Sequence, residues 1–162
     1  MTWSIALLAF VSLERLGELV LARHNTARLL SRGAVEHGAG HYPLIVLLHA
    51  TWLGGLWVLA WNLPIQPLWL TAFILFQVLR IWVLVSLGER WTTRIIVLPE
   101  APLVARGPYR WLSHPNYAVV VGEIAVLPIV YGLNWYALIF SIANVAVLTI
   151  RVRAEEMALA KS

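Results

Sequence analysis

The sequence predicts an all-α integral membrane protein with about five transmembrane helices, and three observations predict it. First, the 162 residues are 60% hydrophobic and only 12% charged, with a mean hydropathy of +0.77; a soluble domain stands nearer half apolar and a quarter charged. Second, the apolar residues gather into long runs, several of them about 20 residues long, the length a helix needs to cross the hydrocarbon core. Third, nine tryptophans are spread through the chain, and tryptophan favours the bilayer–water interface. The length suits one membrane-embedded domain over residues 1–162. The basic residues behind the net charge of +4 are scattered among apolar runs and form no stripe, so nucleic acid is not an expected partner. The chain has no cysteine, which removes disulfides, thiolate metal sites and a cysteine nucleophile.

The first span covers residues 3–22. No basic segment precedes it and no small-residue cleavage site follows, so it reads as a retained helix rather than a signal peptide. Its second half carries Glu14, Arg15 and Glu18. Glu14 and Glu18 share a helix face, and Arg15 can pair with Glu18 three residues on. Charges at this depth are costly and face the protein interior. The polar connector from Arg23 to His41 continues the first helix in part, until Gly33, Gly38 and Gly40 break it. His37 and His41 have a spacing that on a helix could hold a metal. With glycines around them and no third ligand, they read as surface histidines, and no metal is expected.

The second span covers residues 42–61 and holds a lone His49 and a Gly54–Gly55 pair suited to close helix packing. After the turn NLPIQP comes the third span, residues 68–87, with Arg80 inside it. Arg80 needs a carboxylate from another helix, and Glu14, Glu18 and Glu123 are available. Residues 88–116 form a long polar excursion. Its prolines 99, 102, 108 and 115 forbid one continuous helix, and Thr93 to Leu98 (TRIIVL) reads as a short strand or extended segment. Two shorter apolar segments, 117–131 and 135–150, make a helical hairpin about a tight turn at Gly132–Asn134. The charged tail after Ile150 is helix-prone.

Charge sets the orientation. Of the twelve lysines and arginines, Arg15 and Arg80 lie in spans; the other ten fall in the first connector, the long excursion and the tail. With five spans those regions share one side, so the positive-inside rule places the N-terminus outside and the C-terminus in the cytoplasm. A bacterial inner membrane is the expected location.

The same orientation puts two polar stretches together. GPYRWLSHPNY (Gly107–Tyr117) precedes the last hairpin, and RVRAEE (Arg151–Glu156) follows it. Arg151 and Glu155 lie on one helix face. A hairpin brings its ends together, so His114 and Tyr117 should meet Arg151 and Glu155 at the membrane surface. Taken singly each stretch has an ordinary structural use: Pro115 suits a first helical turn, and basic residues anchor helix ends at the interface.

Taken together, GPYRWLSHPNY, an apolar hairpin and RVRAEEMAL resemble the isoprenylcysteine carboxyl methyltransferase family of integral membrane enzymes. That family's C-terminal signature is a histidine-proline-x-tyrosine element followed by an arginine-x-x-x-glutamate element. The likeness covers about Pro102 to Leu159. The run ERLGELVLARHN (Glu14–Asn25) is similar to a short bacterial branch that includes methyltransferases of long-chain polyketides. The resemblance implies S-adenosyl-L-methionine as cofactor, held by Ala101, Pro102, Leu103 and Val104, by Tyr109, by His114, Pro115, Asn116 and Tyr117, and by Glu155. It implies that Arg151 contacts the substrate, with Arg151 and Glu155 the catalytic pair, and it places a further family residue near Arg94. The implied partner is a lipophilic small-molecule or prenylated substrate reached from the lipid bilayer.

The chemistry is compatible. Methyl transfer to oxygen is an in-line displacement in which the enzyme mainly positions the reactants. A carboxylate acceptor is already ionised near neutrality, and the planar fork of Arg151 can orient it. A phenol or enol acceptor gains from a base, and His114, Glu155 and Glu156 are candidates. Two other readings compete. Membrane sterol and steroid reductases carry a similar HPNY element and use NADPH. A non-enzymatic transporter subunit or scaffold would account for the charges inside the spans.

Overall fold

In the computed structural model, residues 2–99 and 101–160 are described. Five α-helices carry the fold: α1 (Thr2–Ser31), α2 (Tyr42–Ala60), α3 (Pro67–Leu87), α4 (Pro115–Val130) and α5 (Asn134–Leu159). Two three-residue strands, β1 (Val35–His37) and β2 (Ile95–Val97), pair antiparallel with Glu36 opposite Ile96. Three helical stretches are long and apolar enough to cross a membrane: 39–60, 67–90 and 134–159. The chain is thus an all-α membrane protein with one small ribbon. The 30-residue α1 is long enough to span but carries Glu14, Arg15 and Glu18, and the apolar α4 has 16 residues.

Local sequence explains the helix boundaries. Pro67 and Pro115 stand in the first turns of α3 and α4, where a missing N–H costs nothing and the fixed φ suits a helix. Gly88 ends α3 and Gly132 makes the α4–α5 turn, with φ of 56° and 75°, a region open chiefly to glycine. The first connector proves mostly helical: α1 runs nine residues past Ala22, and α5 likewise extends through the charged tail. Neither stretch contains a proline or glycine to stop it.

Helix α4 packs between α3 and α5. Gly122 permits this on the α3 side, because a Cβ there would strike the ring of Phe76. Gly55 likewise admits the Tyr136 hydroxyl of α5 against α2, and that hydroxyl donates to the Trp52 carbonyl at 2.8 Å. The buried core gathers Leu8, Val11, Trp52, Leu56, Phe73, Ile124, Leu127 and Val130. Residues such as Phe10, Leu47, Leu75 and Ile139 face outward, as a lipid-facing surface requires.

An ion network ties α1, α3 and α4 together below the polar end. Arg80, 3% exposed, donates from Nε to Glu123 Oε1 at 2.7 Å and from Nη1 to Glu18 Oε1 at 3.1 Å, and its Nη2 also reaches Glu123. Arg15 binds Glu18 and Glu123, both at 2.7 Å, and Gln77 Nε2 adds a bond to Glu123 at 3.1 Å. Of the carboxylates open to Arg80 in the sequence, Glu18 and Glu123 are therefore its partners. A buried charge is tolerable only when paired and hydrogen-bonded, and here two guanidiniums share two carboxylates.

Candidate functional site

The site lies where the N-terminus of α4, the last turns of α5 and the segment around β2 converge. Pro115 starts α4, so His114 caps it and Tyr117 stands in its first turn. The α4–α5 hairpin returns the chain to the same end. As a result Arg151 Nε donates to the Tyr117 hydroxyl oxygen at 2.8 Å, and that hydroxyl donates in turn to Glu155 Oε2. His114 Nδ1 lies 3.9 Å from Glu155 Oε2, and His114 Nε2 lies 3.7 Å from Glu156 Oε1. The His114 and Tyr117 rings stack with centroids 5.3 Å apart. The geometric expectation from the hairpin, that His114 and Tyr117 meet Arg151 and Glu155, describes this arrangement.

A second set of contacts holds the floor. Arg151, 7% exposed, uses Nη1 to bind the Thr93 carbonyl at 2.8 Å. Thr93 Oγ1 meets the Tyr42 hydroxyl of α2 at 3.2 Å. Asn25, buried on α1, donates to the carbonyls of Trp91 at 2.8 Å and Gly88 at 3.2 Å. Arg94 binds Glu36 across the ribbon at 2.8 Å and lies over the Tyr42 ring. The ribbon packs on the end of α5 through Ile95, Val97 and Ala158. Burial, and after it the charge of Glu155, push the Tyr109 phenol above its ordinary pKa, so Tyr109 stays a neutral hydroxyl.

Two cavities open from this constellation. The larger, about 380 Å³, runs between α1, α2, α4 and α5 and is walled by Leu16, Leu19, Ile45, Val46 and Leu53. That volume lies in the range of small-molecule sites. The smaller, about 140 Å³, is bounded by Arg90, Arg94, Tyr109, His114, Glu155 and Leu159 among others. Trp91, Thr92, Asn116, Tyr117 and Arg151 line both. An apolar chamber and a polar one therefore share a wall made of hydrogen-bonding side chains.

Of the residues singled out in the sequence, Tyr109, His114, Asn116, Tyr117, Arg151 and Glu155 line the smaller cavity. Pro115 is buried and lines neither cavity. Ala101, Pro102, Leu103 and Val104 line neither cavity; Leu103 is 71% exposed, and the stretch is fastened where Arg90 donates to the Pro102 carbonyl. His49 faces the larger cavity, with its Nδ1 bonded to the Ile45 carbonyl at 2.8 Å. His37 lies in β1 and His41 in a separate helical turn, so they share no helix face. Sequence reasoning missed Trp91, Thr92, Thr93, Asn25 and Tyr42. The polar triplet Trp91–Thr93, between a helix-ending glycine and an apolar strand, was the available signal.

The model of the isoprenylcysteine carboxyl methyltransferase (ICMT) family matches residues 69–161. A Bacillus subtilis (strain 168) protein described as uncharacterized protein YpbQ is 41% identical over 158 residues, covering 94% of each chain. An uncharacterized protein of Haemophilus influenzae is 25% identical over 144 residues, 85% of this chain and 83% of that one.

Proposed function

This chain belongs to the isoprenylcysteine carboxyl methyltransferase family, and on that premise we propose that it carries a methyl group from S-adenosylmethionine to a carboxylate or hydroxyl oxygen of a lipophilic acceptor. The observation that carries the reading is the shared wall: an apolar cavity within the helices and a polar cavity at their end meet at Trp91, Thr92, Asn116, Tyr117 and Arg151. A reaction between a lipid and a water-soluble cofactor needs such a junction. The family match makes the protein a membrane methyltransferase; the cofactor, the oxygen acceptor and the residue roles are our proposal.

The polar cavity suits the cofactor chemically. Asn116 Oδ1 and Trp91 Nε1 are a buried acceptor and a buried donor without partners among the described residues, and unpaired buried groups carry a desolvation cost that a ligand can relieve. Glu155 engages Tyr117 through Oε2, leaving Oε1 for a cationic or hydroxylated ligand. Tyr109, His114, Asn116, Tyr117 and Glu155 would hold S-adenosylmethionine, with Pro115 fixing the helix start on which they depend. Ala101 to Val104 would flank the site behind the Arg90 anchor. When bound, the cofactor supplies an electrophilic methyl group on a positively charged sulfur.

The chain's own residues do the rest. Arg151, fixed by Thr93 and Tyr117, aims a charged donor at the acceptor oxygen, and a charge-assisted bond there both orients and stabilises it. Leu16, Leu19, Ile45, Val46 and Leu53 give the acceptor's chain an apolar bed. The basic residues of the first connector, the long excursion and the tail support a cytoplasmic location for this end, with the N-terminus outside.

Titration of the purified protein in detergent with S-adenosylhomocysteine and, separately, with NADPH tests the reading. Binding of the first and not the second is expected, with affinity reduced at least about tenfold in Glu155→Gln, the scale of a lost charged hydrogen bond. Binding of NADPH alone would move the protein to the reductase chemistry, and binding of neither to a non-enzymatic role.

A further inference from the structure

His49 stands inside a membrane-spanning helix and takes no part in the chemistry above. It lines the larger cavity, and its Nδ1 bonds the Ile45 carbonyl at 2.8 Å. A carbonyl only accepts, so Nδ1 carries the ring proton, and Nε2 of the neutral imidazole is left as an acceptor. That acceptor has no partner among the described residues. Arg15 lines the same cavity. Its terminal nitrogens bind Glu18 and Glu123, while its Nε is a buried donor without a partner among the described residues. Other polar groups of this wall are already engaged: Ser12 Oγ donates to the Leu8 carbonyl at 2.8 Å and accepts from Trp57 Nε1 at 2.9 Å, and Arg80 binds Glu18. An unpaired acceptor and an unpaired donor are costly in an apolar setting, and polar residues kept at membrane depth mark the places where ligands bind or pass.

We propose that His49 and Arg15 form a second polar subsite in the larger cavity, which reads a hydroxyl group carried within the acceptor's chain. A hydroxyl suits both partners, because its O–H donates to His49 Nε2 while its lone pairs accept from Arg15. A carbonyl or ether oxygen could meet only Arg15, and an amide N–H only His49. Helix α2 sets the place of the subsite. Tyr42, whose hydroxyl meets Thr93 at the floor of the site, precedes His49 by two turns. The two residues therefore share a helix face and stand about 10 Å apart along its axis. That separation keeps His49 from the oxygen being methylated, so its part is recognition rather than proton transfer. Leu53 and Ser12, about one turn further along α2 and α1, line the cavity beyond it, and the chain can run on past the hydroxyl. This recognition rests on the methyltransferase reading above, and it holds whether a carboxylate or a hydroxyl oxygen receives the methyl group.

Plain stearate and hydroxystearates with the hydroxyl near the middle of the chain or at its far end test the subsite, alongside long-chain alkylphenols carrying the same substitutions. Each is measured by displacement of radiolabelled plain-chain stearate or alkylphenol from protein in nanodiscs saturated with S-adenosylhomocysteine. Wild type and variants are compared in the same bilayers, so partitioning into lipid cancels. A chain whose hydroxyl falls about 10 Å from its head group should bind at least about fivefold tighter than the plain chain, the scale of one hydrogen bond. His49→Phe should erase that preference while keeping S-adenosylhomocysteine and plain-chain binding, and His49→Gln, which retains an acceptor, should keep part of it. With nitrogen-labelled histidine, the Nε2 resonance that His49→Gln removes should move when the hydroxylated chain binds and stay in place with the plain chain. Equal affinity for hydroxylated and plain chains, a resonance that does not respond, or an undiminished preference in His49→Phe would overturn the subsite and leave the imidazole to a bound water. Failure of S-adenosylhomocysteine to bind, or of every chain under both head groups, would instead overturn the reading on which it rests.

Discussion

The guanidinium of Arg151 donates from Nε to the phenolic oxygen of Tyr117 at 2.8 Å, joining the last helix to the first turn of the helix before it. The same guanidinium reaches the Thr93 carbonyl at 2.8 Å. One buried cation thus fixes three segments of the site, and its forked geometry is what makes two directed bonds possible.

Replacing Arg151 by Ala should therefore damage turnover more than cofactor binding. We expect kcat/KM to fall by about two orders of magnitude or more, in line with the loss of a positioned charged donor, and S-adenosylhomocysteine affinity to change by only a few-fold. Arg151→Lys should recover little, because an ammonium cannot reproduce the fork. Steady-state kinetics with parallel calorimetry check this, and equal losses in both quantities would contradict the role.

The ion network predicts a non-additive stability pattern. Arg80→Met leaves Glu123, 2% exposed, short of its nearest cation and should cost about 3–5 kcal/mol, as breaking a buried pair does. The double variant Arg80→Met with Glu123→Gln should recover part of that loss. Thermal unfolding in detergent compares the two; a double variant at least as unstable as the sum of the singles would contradict the pairing.

Close packing of α3 on α4 gives a third expectation. A Cβ at Gly122 meets the Phe76 ring, so Gly122→Ala should destabilise by about 1–3 kcal/mol, as overpacking does. Adding Phe76→Leu should relieve the clash. Denaturation midpoints of the single and double variants decide the matter.

Asn25 offers a test of the site's floor. Its amide holds the carbonyls of Gly88 and Trp91, and Asn25→Ala should cost about 1–3 kcal/mol for the buried groups left unpaired. Because Trp91 and Thr92 border both cavities, S-adenosylhomocysteine affinity should drop several-fold too. An unaltered affinity in a destabilised variant would confine Asn25 to folding alone.

The five helices were legible in the sequence because apolar runs of spanning length and the prolines and glycines between them are local signals. So was the meeting of His114 and Tyr117 with Arg151 and Glu155, since a hairpin has only one way to return. The ribbon was half legible: TRIIVL reads as a strand, but its partner Val35–His37 lies about sixty residues earlier and carries three residues of weak pattern. Such a pairing is decided by tertiary closure rather than by propensity. Asn25 and Tyr42 were illegible for the same reason, because each serves the site only through a bond to the segment Gly88–Thr93. The partners of Arg80 could be narrowed to three carboxylates by charge alone, and helix rotation then selected Glu18 and Glu123.

The most direct test of the central claim is methyl transfer itself. Purified protein in liposomes is supplied with S-adenosylmethionine labelled in its methyl group, together with a long-chain phenol and a prenylated carboxylate in parallel reactions, and label is counted in the organic extract. The account predicts enzyme-dependent label in an extracted O-methyl product and S-adenosylhomocysteine formed in equal amount. Label that stays wholly in the cofactor with both acceptors, from protein that binds S-adenosylhomocysteine, would contradict it.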